Sequence, residues 1–119
     1  MRVENHVGPG TPDVYACWRG VSAWFESKVL VDTRDSRDAC RVVRPRHVTR
    51  AQPPWWRAAR RADVPLFGAL KHEAWPRGDV MFVRLEGLIG LERGLTAPEL
   101  KLYEVPLGGI FGAQIRPTR

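Results

Sequence analysis

Apolar positions in the first half of the chain recur at helical spacing. Trp18, Val21, Trp24 and Phe25 fall three and four residues apart, with Asp13 placed to cap the start, so the pattern predicts a helical region from Asp13 to about Asp32, interrupted by Gly20. Lys28 to Val31 either extends that helix or forms a short strand. Ahead of it, residues 1–13 end in Gly8-Pro9-Gly10-Thr11-Pro12-Asp13 and read as a flexible N-terminal arm. Residues 32–38 interleave aspartate and arginine as a solvated turn, and Cys40 to Arg44 reads as a strand stopped by Pro45. Pro53 and Pro54 precede a second helix, Trp55 to Ala62, which Pro65 ends. That phase puts Trp55, Ala58, Ala59 and Ala62 on the packed side and leaves Trp56 and Arg60 on another.

The second half reads as sheet. Val80 to Leu85 and Leu88 to Leu91 flank Glu86-Gly87 as a tight hairpin, Glu99 to Val105 makes a third strand, and Ile110 to Ile115 a fourth. Leu100 and Leu102 alternate with Lys101 and Tyr103, and Phe111, Ala113 and Ile115 alternate with Gly112, Gln114 and Arg116. One buried face and one wet face follow, as in an antiparallel sheet or small open barrel. The expected fold is α+β: a single globular domain over 14–119, with an N-terminal helical region and a short arginine-rich helix packed on a C-terminal antiparallel sheet of about four strands.

Composition narrows the classes. At 119 residues and 44% hydrophobic content the chain suits one folded core. Its apolar runs fall short of the roughly 20 residues that span a bilayer, and the start lacks a signal-peptide pattern, so the expected location is cytoplasmic or otherwise intracellular, away from membranes. Two cysteines, Cys17 and Cys40, are too few for a disulfide scaffold.

Charge changes the picture most. Residues 39–62 contain seven arginines and no acidic residue, whereas the remainder holds 12 basic against 13 acidic side chains. The net charge of +6 therefore resides in one segment that also carries Trp55 and Trp56. Guanidinium groups bond phosphate oxygens in pairs, and an exposed indole stacks on a base. The expectation is a small, basic, non-enzymatic accessory protein that binds nucleic-acid backbone, DNA or RNA, with little sequence preference. Arg41, Arg44, Arg46, Arg50, Arg57, Arg60 and Arg61 would contact phosphates and Trp56 would stack. The alternative is a structural or adaptor subunit of a viral, phage or ribonucleoprotein assembly, with the same segment against an acidic protein surface, because arginine and tryptophan are also enriched at interface hot spots.

Other chemistry is thinly represented. Cys17 is a potential nucleophile, with His47 or His72 as base and Asp79 or Glu73 as orienting carboxylate. Cys17-Trp18 and the Pro76-Arg77-Gly78-Asp79-Val80 turn resemble the papain-related cell-wall hydrolases over about a dozen residues. That resemblance implies a cysteine hydrolase, a third reading, but the family's catalytic histidine opens the strand after the Gly-Asp turn, and here Leu88 and Ile89 occupy the comparable place. The histidines His6, His47 and His72 lack metal-ligand spacing, Asp32, Asp35 and Asp38 lack the glycine of a calcium loop, and Gly108 to Gly112 lacks the lysine of a phosphate loop. No metal or cofactor is expected.

Overall fold

The computed structural model describes residues 2–4, 12–34 and 41–112. Its organising element is one 14-residue strand. β1 (Arg2–Glu4), β2 (Val14–Trp18), β3 (Val21–Arg34), β4 (Arg41–Pro45), β5 (Leu66–His72) and β6 (Met81–Arg84) form a six-stranded mixed sheet. The order is β1-β2-β3-β5-β6, and β4 also pairs with β3. β3 pairs antiparallel with β2 through residues 21–25 and with β4 through residues 30–34, and its opposite edge runs parallel to β5. A parallel pair needs a long crossover, and α1 (Gln52–Arg61) lies within it.

The region 13–32 is therefore a hairpin and not a helix. A strand packed on both faces is apolar on both sides, and Val21, Trp24 and Phe25 of β3, together with the exposed Trp18 at the end of β2, imitate helical spacing. The backbone settles the matter at Arg19-Gly20, where two successive positive φ values close a two-residue turn between Trp18 and Val21. On one face of β3, Trp24 and Leu30 join apolar clusters with Leu66, Leu70, Val83, Leu85, Leu88, Leu91 and Leu100. On the other, Ala23 and Phe25 pack with Val14, Phe67, Phe82 and Ile110.

The expected C-terminal sheet of four antiparallel strands is corrected. The strand expected at Val80 to Leu85 is present as β6, but the second arm of the expected hairpin is α2 (Leu85–Leu91), Glu99 to Val105 contributes α3 (Ala97–Lys101), and Ile110 lies in α4 (Leu107–Gly112). Residues 113–119 lie outside the described residues. Short apolar runs carry no period of their own, and local signals decide. Thr96 and Glu99 form a reciprocal capping box with a proline in the first turn, which starts a helix at Ala97. Leu100 is buried on it while Leu102 is 75% exposed, so Leu102 is not a core residue. β5, unassigned from the sequence, is a central strand. Its Gly68 makes room for the side chain of its cross-strand partner on β6, since a Cβ there would stand 2.8 Å from a Val83 methyl.

Of the segment read as an N-terminal arm, Arg2–Glu4 pairs with β2 and Pro12 is buried. Residues 5–11 lie outside the described residues, as do Cys40 and the Asp35 and Asp38 positions of the expected turn.

Candidate functional site

α1 begins three residues earlier than the pattern suggested, at Gln52, with proline in its first turn. Its inner face is formed by Gln52, Pro53, Trp56 and Ala59. Trp56 is fully buried against Leu66, Leu85 and Leu88, and Trp55 is the half-buried one at the margin of that cluster. The assignment of Trp56 as an exposed stacking surface is thus corrected. Of the alanines expected on the packed side, Ala59 is buried there, but Ala58 and Ala62 are exposed, and α1 faces the sheet with the Trp56 ring.

The arginines divide between two elements. Arg41 is exposed on β4, and Arg44 is half-buried with its Nε enclosed and without a hydrogen-bond partner. Arg46 follows the strand and pairs with Glu73. Arg50 is exposed ahead of α1. On the helix, Arg57 pairs with Glu92 at 3.3 Å, and Arg60 and Arg61 are exposed in the last turn, where cations also complement the helix dipole. Arg41, Arg50, Arg60 and Arg61 have no carboxylate partner among the described residues. These groups do not form one patch. Arg41 stands opposite Arg34, while α1 leads into Pro65, whose carbonyl accepts from Trp24 N at 2.7 Å. Ten residues of β3 separate those levels, roughly 33 Å at strand rise.

Beneath α1 lies a polar cluster that sequence reasoning missed. Lys28 Nζ donates to His47 O at 2.9 Å and to Gln52 Oε1 at 2.8 Å, and stands 3.8 Å from Glu26 Oε2. Gln52 Nε2 donates weakly to the same Glu26 oxygen at 3.4 Å, and Gln52 Oε1 also accepts from Thr49 N. Asp13 does not cap a helix; its carboxylate accepts from Ser27 N at 3.0 Å, filling the gap between the ends of β2 and β4 along β3. Burial, reinforced by the Asp13 carboxylate, pushes Glu26 up from 4.5 to about 8, against the opposing pull of Lys28 and the Trp56 indole. Burial also lowers Lys28, against the attraction of Glu26 and Asp13. Glu26 is fully buried and out of reach of a substrate. The cluster's work is to fasten α1 and its arginines to β3. Its signal was two charged residues two apart within an apolar run, which is the spacing of one strand face.

The cysteine-hydrolase constellation is not assembled. Cys17 lies opposite Ser22 and His72 opposite Leu30, which places them about eight strand residues, roughly 26 Å, apart. His47 meets Lys28, again well along β3 from Ser22. His72 instead bonds Asp32 at 3.0 Å through Nε2, accepts from Ala74 N at Nδ1 and packs against Trp75. Among the described residues no group of three histidine, cysteine, aspartate or glutamate side chains could hold a metal ion, and no helix is long and apolar enough to cross a membrane. Comparison with protein-family models, with curated proteins and with solved structures finds no match to this chain.

Proposed function

We propose that this protein is a small accessory protein that binds nucleic-acid backbone with little sequence preference. The observation that carries the reading is the set of exposed arginines Arg41, Arg50, Arg60 and Arg61, without a carboxylate partner among the described residues and spread over the length of β3 and α1. A linear array suits a linear polyanion, and roughly 33 Å matches the rise of about ten stacked bases. Arg46 and Arg57 exchange their present carboxylates for phosphate only at a cost, and Arg44 is largely committed to packing. Trp56 is removed from the contact set.

About four phosphates engaged give a slope of log affinity against log salt near −3.6 on duplex and near −2.8 on single strands. A salt titration by fluorescence anisotropy measures it. A slope near zero, or no binding in 50 mM salt, rejects the reading. The half-buried Trp55 at the margin of the α1 cluster favours a second reading, an adaptor or structural subunit of a larger assembly that buries this margin against an acidic protein partner. Salt-insensitive association with a protein, together with no binding to DNA or RNA, selects it.

A further inference from the structure

We propose that the tip of the β2–β3 hairpin is a base-stacking platform, so that the nucleic acid this protein takes is single-stranded; the inference rests on the backbone-binding reading and assigns its substrate class. Trp18 and Val21 are paired across a two-residue turn in which Arg19 has φ 52 and Gly20 φ 80. Turns of that kind favour asparagine or glycine at the first position, and an arginine held in the left-handed region is strained. Strain kept where a commoner residue would relieve it points toward use of the side chain.

Its neighbour is equally out of place for folding alone. Trp18 is 56% exposed, although tryptophan is among the residues most buried on average. The Arg19 guanidinium stands over one face of the Trp18 ring, 5.6 Å from its centre, so a base would stack on the opposite face. An indole on a tight turn loses little freedom when a base stacks on it, and the adjacent guanidinium is placed to meet that base's phosphate.

The tip also lies at the helix end that carries two exposed cations. α1 closes with Arg60 and Arg61, and the connection through Asp63 reaches Pro65, which bonds Trp24 N at 2.7 Å. Val21 is three residues from Trp24, about 10 Å along the strand. A strand whose phosphates follow Arg61, Arg60 and Arg19 can turn a base onto Trp18. A duplex keeps its base faces stacked inside and cannot.

The test uses the full chain with a labelled oligothymidylate of about 20 nucleotides, a duplex of equal length, and heparin as a polyanion without bases. The wild-type protein is expected to prefer the oligothymidylate to the duplex. Trp18→Ala should weaken oligothymidylate binding by about 5- to 100-fold, leave heparin binding and the salt slope unchanged, and keep the thermal midpoint; Trp18→Phe should retain most of the affinity. If all three polyanions bind alike and Trp18→Ala is silent, the stacking platform is overturned and backbone binding stands. A loss on heparin as large as that on the oligonucleotide also overturns it. If none of the three binds, both readings fall.

Discussion

Glu26 is a carboxyl group placed where a charge is costly, and the consequence is a measurable dependence on pH. Its value rises from 4.5 to about 8 on folding because burial, and then Asp13, favour the protonated form. A group that holds its proton more tightly when folded contributes stability that is complete below its unfolded value and is lost as pH rises through its folded value. Stability attributable to Glu26 should therefore decline between pH 4.5 and 8, by on the order of 1 kcal/mol per pH unit. Lys28 has the opposite sign, since its lowered value gives stability that is present above its unfolded range and lost as pH falls through its folded value. Glu26→Gln isolates the carboxyl: the difference in unfolding free energy between variant and wild type should shift in the variant's favour from pH 5 to pH 9, as read by urea denaturation. A difference constant across that range would show that Glu26 does not titrate as described. None of this was legible at residue level, because Asp13 and Glu26 become neighbours only through the register of β2 on β3. The tryptophan pair failed for a related reason, since which of two adjacent indoles faces inward is set by what α1 packs on, and its buried face runs through Gln52, Pro53, Trp56 and Ala59.

Among the elements, those with turn or cap chemistry were easier to read than those argued from short apolar runs. The helix marked by Pro53-Pro54, though it starts ahead of them at Gln52, and the strands near Arg41 and Met81 are close to where proline and turn residues put them. By contrast, Leu85–Leu91 and Ala97–Lys101 hold too few residues for period two and period 3.6 to diverge, and β-propensity had nothing decisive to weigh against them. The alternation through Leu100 and Leu102 was genuine as a pattern and irrelevant to the fold, because the Thr96 cap winds that segment into α3. Leu100→Ala should cost about 2–5 kcal/mol, since its side chain lies in the cluster with Leu30, Leu70 and Leu91, whereas Leu102→Ala should change stability by less than about 0.5 kcal/mol. Chemical denaturation of the two variants decides it, and equal costs would place α3 in the wrong phase.

For the molecule as a whole, the twofold use of β3 sets an order of assembly. One edge of that strand meets β2 across a two-residue turn, and the other must wait for β5, whose Leu66 pairs with Trp24 only after β4 and α1 have been laid down between them. Hairpins close in about 1–10 μs, while contacts so distant in sequence carry the loop-closure entropy that slows folding toward milliseconds or longer. A hairpin already formed in the transition state makes the Arg19-Gly20 turn a kinetic position. Gly20→Ala, strained at φ 80, should then slow refolding in stopped-flow measurements more than it speeds unfolding, and the reverse would place the parallel closure first. On this route the same two-residue turn that holds Trp18 out in solvent also decides how quickly a newly made chain acquires its central strand.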